Sequence, residues 1–314
     1  MTTILRHEFH STEHGPRVLI TAGVHGDEFE SIAAVHRLRE LFACGSPRVA
    51  GYRGTVTLVP VANDAAYRRG RRTADDGLDL ARVCPGRADG STTERIACEL
   101  SELIRAADYY IDLHTGGTEL SVLPLAGYML HADLGVLESQ RRMATAFGLP
   151  VVWGTTAELA GRTLSVARDA GVPAIYAEYG GAATCDPKGV SAYVDGCLNV
   201  LAEVGCLSRS TSKSRVEHFV EDGRPSSGHL QIQNPSPAAG VFTPAIRLGE
   251  FVSPGDDIGV VFDPLEGNER VIRSRQEGLV LVLRTFPRVQ AGDSLCVVLE
   301  CERPGSHNPP AHNR

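Results

Sequence analysis

Short apolar runs alternate with amphipathic patterns along the first two thirds of the chain, and this alternation most constrains the fold. Val18–Val24 is a continuous, mostly apolar run, which is typical of a strand in a sheet covered on both faces. An amphipathic helix is predicted directly after it, over Asp27–Phe42. The same order recurs as far as residue 204, so residues 1–205 are predicted to form an α/β domain with a mostly parallel or mixed sheet and helices on both faces. Further strands are predicted at Thr55–Val61, Asp108–Leu113 and Val172–Glu178, and further helices at Thr92–Ala106, Leu137–Phe147 and Val190–Val204.

The pattern changes after residue 205. Residues 206–228 are rich in Ser, Lys, Arg and Gly, which predicts a linker or a solvated excursion. Residues 229–302 contain strand-length runs separated by Gly-, Pro- and Asp-containing turns, without a helical period. We therefore expect a second, smaller, all-β domain there, followed by a disordered tail over 303–314.

Charge and terminal composition exclude several classes of function. The chain has 31 Lys+Arg against 38 Asp+Glu, a net charge of −7, so it lacks the basic balance that nucleic-acid binding or an anionic membrane needs. The first fifteen residues do not resemble a signal peptide, and the apolar runs are only of strand length. These features predict a cytoplasmic protein with a small-molecule substrate, and they leave open whether it forms a homo-oligomer.

A candidate metal site lies where two predicted strands end. His25 and Glu28 stand in Gly23-Val-His-Gly-Asp-Glu28, just after the first strand, and can converge on one ion. Ligands of open parallel sheets gather at that edge. A catalytic zinc takes three protein ligands, and His114 in Asp112-Leu-His-Thr-Gly-Gly117 is the candidate for the third, with Asp112 placed to orient a histidine.

The alternative is that His-x-x-Glu arises by chance, since the chain has 11 histidines. Two motifs that both contain glycines and both end strands strengthen the metal hypothesis. A third segment, Ala177-Glu-Tyr-Gly-Gly181, places Glu178 at another strand end, where a carboxylate can act as a general base. The arginines in 68–72 and at Arg82 are mostly expected to be solvated. One or two could bind a substrate carboxylate or stabilise an oxyanion.

These motifs resemble the succinylglutamate desuccinylase/aspartoacylase family of zinc carboxypeptidase-like hydrolases. The resemblance covers nearly the whole chain, and it rests on Gly23–Glu28, Pro60-Val-Ala-Asn63, Asp76–Gly86, Asp112–Gly117 and Ala177–Gly181. It implies that His25, Glu28 and His114 bind one zinc ion per chain and that Glu178 is the general base and acid.

The resemblance also implies roles in substrate binding. Arg72 would polarise the scissile carbonyl, Arg82 would bind the substrate carboxylate, and Arg162 is a weaker match to a further substrate-binding arginine. Asn63 is assigned to substrate binding through its motif. Residues 240–299 are similar to a lipoyl-like barrel-sandwich domain and are interpreted as structural or as a lid.

One departure from the family pattern concerns the substrate. The family usually has Asp-Leu-Asn-Arg where this chain has Asp79-Leu-Ala-Arg82, and the missing amide removes a hydrogen bond worth about 1.5–3 kcal/mol to a charged group. Cys84, where an aromatic residue is common, is interpreted as a small residue of the pocket wall. A free α-carboxylate on the substrate is therefore in question.

The predicted activity is that of a zinc-dependent amidohydrolase that cleaves a small N-acylated amino acid or related N-acyl amine. The alternatives are a carboxypeptidase-type peptidase with the same zinc site and a non-catalytic ligand-binding protein.

Overall fold

The computed structural model describes residues 4–208, 215–225, 227–230 and 233–303. The chain forms two compact units, Met1–Gly228 and His229–Arg314. In the first unit the strands are β1 (His7–His10), β2 (Arg17–Thr21), β3 (Thr55–Val59), β4 (Tyr109–His114), β5 (Leu120–Met129), β6 (Val151–Thr155), β7 (Ala174–Gly181) and β8 (His218–Glu221).

These eight strands form one mixed sheet in the order β1-β3-β2-β4-β7-β5-β6-β8. The centre, β3-β2-β4-β7, is parallel throughout. β5 runs antiparallel to β7, and β6 and β8 follow parallel to β5. The carboxyl ends of β2, β4 and β7 therefore meet at one edge, as the sequence predicted.

Helices cover both faces of this sheet, which confirms the predicted α/β class. One apolar cluster joins the sheet to three helices through residues such as Leu38, Met143 and Tyr193, and a second joins the other face to three more through residues such as Ile96 and Leu164. The first set is α1 (Phe29–Ala43), α5 (Leu134–Phe147) and α7 (Pro187–Glu203), and the second is α3 (Leu80–Val83), α4 (Thr92–Ala106) and α6 (Thr163–Ala170), while α2 (Asp64–Arg69) follows β3.

Several elements were not predicted. β5 was missed because its ten residues include Pro124, which sits where the register with β7 shifts, an irregularity that accommodates a proline inside a strand. β6 and α6 are short, five and eight residues, so their patterns carry little signal.

The segment predicted as a linker, 206–228, contains the edge strand β8, and that part of the interpretation is corrected. Glu221 at the end of β8 accepts hydrogen bonds from the Tyr128 hydroxyl at 2.6 Å and from the Arg141 guanidinium at 2.8 Å. Contacts with residues distant in sequence hold this strand at the edge of the sheet, and the composition of residues 206–228 does not predict such contacts.

The second unit is all-β within the described residues 233–303, as predicted. Its strands are β9 (Gly240–Pro244), β10 (Phe251–Val252), β11 (Asp257–Phe262), β12 (Glu269–Arg273), β13 (Gly278–Arg284), β14 (Arg288–Val289) and β15 (Cys296–Leu299). They pair antiparallel as β12-β11-β9-β14 and β10-β13-β15 around one apolar cluster that includes Phe242, Ile258 and Val280. The tail predicted over 303–314 lies outside the described residues except for Arg303. None of the described helices is long and apolar enough to cross a membrane.

Candidate metal-dependent active site

Three side chains from the ends of β2 and β4 converge at the carboxyl edge of the sheet. β2 ends at Thr21, and Gly23, with φ of +63°, turns the chain so that His25 and Glu28 precede α1. His114 is the last residue of β4. One ligand atom from each of His25, Glu28 and His114 lies within 4.8 Å of the other two, so the three predicted ligands could hold one metal ion.

The Glu28 carboxylate lies between the two imidazoles. Its Oε1 is 2.7 Å from His25 Nδ1, and its Oε2 is 3.0 Å from His114 Nδ1. Glu28 is 1% exposed, His25 3% and His114 9%. A buried carboxylate between two imidazoles matches the His and Glu donors that zinc prefers, and these residues fit a divalent metal.

The Nε2 atom of each histidine contacts a carboxylate other than that of Glu28. His25 Nε2 is 3.0 Å from Asp79 Oδ1, and His114 Nε2 is 3.1 Å from Asp112 Oδ2. Such contacts fix the tautomer, because the Nε2 proton is donated to the carboxylate and Nδ1 is left for a metal. The expected role of Asp112 as an orienting group is consistent with this geometry.

Asp112 is itself held by buried hydroxyls. Thr21 donates to Asp112 Oδ1 at 2.7 Å and Thr163 to Oδ2 at 2.6 Å, and the Tyr110 hydroxyl lies 2.8 Å from that of Thr21. The Tyr193 hydroxyl donates to the backbone oxygen of His114. The His114 ring and backbone are thereby both fixed from the surrounding strands and helices.

The charges at this cluster favour a cation. Burial alone would raise the pKa of Glu28, but the charges and hydrogen bonds of His25 and His114 outweigh it and lower that pKa to about 2. Burial alone would lower the pKa of His114, but Asp112 and Glu28 raise it well above its usual value. The carboxylates thus stabilise positive charge here, and a metal ion can replace protons as that charge.

Glu178 faces this cluster from β7. It pairs in register with His114 and is 7% exposed. Burial, with His114 opposing it and Glu28 adding to it, raises the pKa of Glu178 to about 8. Its Oε2 is buried without a hydrogen-bond partner among the described residues, which leaves a carboxyl oxygen available at the site.

Arg72 lies against the same network. Its Nε and Nη2 donate to Asp79 Oδ2 at 3.0 and 2.8 Å, and Asp79 also contacts His25. Burial alone would raise the pKa of Asp79, but the His25 hydrogen bond and the Arg72 charge lower it strongly. Arg72 is therefore linked to a ligand histidine through one carboxylate.

Arg82 and Arg162 lie close enough for their charges to interact. Burial, followed by the charge of Arg82, lowers the pKa of Arg162 to about 10. Arg82 Nη1 donates to the Ala81 oxygen at 2.7 Å, and Arg162 Nη1 donates to the Gly228 oxygen at 3.1 Å. Arg82 is exposed and Arg162 half-buried, and two neighbouring cations favour an anionic group shared by both.

Asn63, which is predicted to bind substrate, also makes a structural contact at a helix end. It is fully buried at the start of α2, where its Oδ1 accepts a hydrogen bond from the Ala66 N–H at 3.1 Å. That contact caps the helix that leads to Arg72. Its Nδ2 has no partner among the described residues.

Sequence reasoning missed two acidic residues. Asp79 was within a quoted motif without a role, and it is shared by His25 and Arg72. Asp27 was passed over beside Glu28, yet its Oδ2 accepts the Thr118 N–H at 2.9 Å and joins the two ligand loops. The motif Asp79-Leu-Ala-Arg82, which places a carboxylate three residues before an arginine, was the signal in the sequence that could have pointed to Asp79.

Cys84 is buried, and burial raises the pKa of its thiol to about 12, which agrees with a residue of the pocket wall.

A family model matches the part of the chain that contains this site. The model of the succinylglutamate desuccinylase/aspartoacylase catalytic domain matches residues 14–204, more than half of the chain. The chain belongs to this family. The match spans both ligand loops, Glu178 and the three arginines.

The chain is similar over most of its length to one curated protein and to several solved structures. N-alpha-acetyl-L-2,4-diaminobutyric acid deacetylase of Halomonas elongata is 32% identical over 297 residues, covering 91% of this chain and 82% of the relative. The product-bound ectoine utilization protein EutE (DoeB) of Ruegeria pomeroyi has a TM-score of 0.83 at 28% identity, covering 94% and 88% of the two chains. A succinylglutamate desuccinylase/aspartoacylase of Rhodobacter sphaeroides has a TM-score of 0.80 at 26% identity, covering 93% and 87%.

Proposed function

We propose that the protein is a zinc-dependent amidohydrolase that releases the acyl group of a small N-acylated amino acid or a related N-acyl amine. The observation that carries the proposal is the buried triad of His25, Glu28 and His114 with the unpartnered Glu178 oxygen beside it. The deacylase relatives support amide hydrolysis, and the donor set supports zinc.

His25 Nδ1, His114 Nδ1 and the Glu28 carboxylate would hold the zinc ion, with Asp79 and Asp112 fixing the imidazoles. Bound zinc would lower the pKa of a water toward about 7 and would polarise the acyl oxygen. Side chains of the protein carry out the proton transfers and bind the substrate.

Glu178 takes the proton of the attacking water and returns it to the nitrogen that leaves. A pKa of about 8 lies near neutral pH, where a group can both accept and donate a proton. Arg72, held by Asp79, faces the negative charge that develops on the acyl oxygen. Arg82 and Arg162 bind the substrate carboxylate, which offsets the repulsion between the two guanidinium groups.

A substrate panel on the full-length chain with added zinc tests the proposal. The panel pairs N-acetyl and N-succinyl amino acids with N-acetyl diamines, N-acetyl-2,4-diaminobutyrate and dipeptides, and free amine is measured. We expect hydrolysis of N-acyl amino acids, with the carboxylate-free amides cleaved more slowly.

Two outcomes contradict this proposal. Faster cleavage of dipeptides than of every N-acyl amino acid indicates a peptidase. Absence of turnover across the panel, in protein shown by metal analysis to contain zinc, indicates a non-catalytic role.

A further inference from the structure

Alternation along the strands divides the sheet β12-β11-β9-β14 of the second unit into an inner and an outer face. Val261 of β11 and Phe242 of β9 pair with each other and are buried in the apolar cluster of that unit, so they define the inner face. Their neighbours along the strands point to the opposite, outer face. Phe262, which pairs with Val241, and Val260 therefore lie on the outer face.

The outer face is apolar at its centre. Val271 of β12 pairs with Val260 and is 49% exposed, and Phe262 beside them is 37% exposed. Leu265, in the turn that joins β11 to β12, is 93% exposed, and Asp263 fixes that turn by accepting the Leu265 N–H at 2.8 Å. The solvated face of an antiparallel sheet usually carries polar residues, and a row of adjacent exposed apolar residues indicates an interaction surface.

Opposite charges stand at the two ends of one row across this face. Glu269 of β12 pairs with Phe262. Phe262 pairs with Val241, which in turn pairs with Arg288 of β14. Val289, which follows Arg288, is buried in the apolar cluster, so Arg288 points outward with the rest of the row. Glu269 and Arg288 are both exposed and lie three strand spacings, or about 14 Å, apart.

A second copy of this chain complements the row. When two such sheets stack face to face through a two-fold axis that runs along the strands between β11 and β9, the order of the strands reverses across the axis. In this arrangement Glu269 of each copy faces Arg288 of the other. Phe262 of each copy faces Val241 of the other. A two-fold axis across the strands would instead place Glu269 opposite Glu269, where like charges repel.

We propose that the outer face of this sheet binds the same face of a second copy of the chain, forming a two-fold symmetric dimer. Burial of the valine and phenylalanine side chains provides the attraction, and the two pairs of Glu269 with Arg288 fix the orientation. Because the face lies within the second unit alone, this dimer does not depend on the proposed hydrolytic activity.

The size of the face sets the strength of the dimer. Four strands of about five residues cover on the order of 300 Å². A standard interface buries about 800 Å² on each partner, so we expect association in the micromolar range and not a permanent dimer.

Sedimentation velocity of the full-length chain over about 1–200 μM, a range that brackets a micromolar Kd, measures the association. Glu269→Arg and Arg288→Glu should each weaken it about tenfold, because each variant places like charges opposite one another. The double variant Glu269→Arg/Arg288→Glu exchanges the two charges and should restore the wild-type Kd to within about twofold.

Phe262→Asp tests the apolar centre of the face and should abolish the dimer over the same range, because it buries a charge without a partner. Leu134→Asp is the matched control, since Leu134 is an equally accessible apolar residue, 76% exposed, on α5 of the first unit. Its dimerisation should equal that of the wild type. Far-UV circular dichroism checks that each variant is folded.

Three results overturn the inference. A wild-type chain that stays monomeric at the highest concentration excludes the dimer and leaves the face to a different partner. A dimer that persists in folded Phe262→Asp lies at another surface. Failure of the double variant to restore association excludes the two-fold pairing of Glu269 with Arg288.

Discussion

Glu178 combines burial, a raised pKa and an oxygen without a partner among the described residues. Glu178→Gln keeps the size of the side chain but removes the proton acceptor, so we expect turnover to fall at least about 100-fold. Zinc content, measured by atomic emission, should remain at the wild-type level because Glu178 is not among the three ligands. The control is Glu102→Gln, at an exposed carboxylate on α4. A Glu178→Gln enzyme with more than half of wild-type activity would exclude Glu178 as the base.

Asp112 contacts the proposed metal ligand His114 and would act on a bound metal through it. Its carboxylate is fully buried and contacts Nε2, so Asp112→Asn should weaken metal affinity about 10–100-fold. Competition with a chromophoric chelator measures the effect. Asp108→Asn, which changes an exposed carboxylate bound to Arg17 just before the same strand, should leave affinity unchanged. Equal affinities in Asp112→Asn and the wild type would contradict the orienting role.

The loop that follows β2 and carries His25 packs directly on the helix α2. A Cβ at Gly26 would lie 2.1 Å from the backbone carbon of Ala66, and the Gly26 N–H donates to the Arg71 oxygen at 3.0 Å. The absent side chain lets the loop with His25 approach the helix that leads to Arg72.

Gly26→Ala should therefore lower the free energy of unfolding by about 1–3 kcal/mol, because backbone must move to accept the methyl group. Urea denaturation measures this, and activity should fall with it as His25 and Arg72 separate. Gly223→Ala is the control, since its nearest neighbour would be Leu130 at 3.6 Å. Stability of Gly26→Ala equal to that of the control would show that the loop adjusts freely.

Long-range contacts explain why β8 was missed whereas the central elements were predicted. The alternation of apolar patterns predicted α1, α4 and the central strands because each has a clear period. In α4 a capping box of Ser91 and Glu94 adds a start signal. β8 was not predicted, because its place depends on Tyr128 and Arg141, which are distant in sequence.

For the whole molecule, metal binding should be linked to stability. The three proposed ligands come from segments up to 89 residues apart, so an unfolded chain offers no comparable site. Zinc at 100 times its dissociation constant should raise the free energy of unfolding by about 2.7 kcal/mol.

Thermal unfolding of chelator-treated protein, with and without added zinc, measures this stabilisation. His114→Ala should lose most of the zinc-dependent rise in Tm, whereas His36→Ala, at an exposed histidine on α1, should keep it. A wild-type Tm that does not respond to zinc would contradict a specific site.

The sequence by itself determined the fold class and the meeting of His25, Glu28, His114 and Glu178, because parallel strands bring their carboxyl ends, and the loops that follow, to one edge of the sheet. Only the tertiary structure decided which groups support those residues. Asp79 lies 54 residues from His25, and Thr163 lies 51 from Asp112, so their contacts arise from packing between helices and strands. It also decided that Asn63 caps a helix. Side-chain direction and desolvation depend on neighbours from distant parts of the chain, and a local pattern carries no record of them.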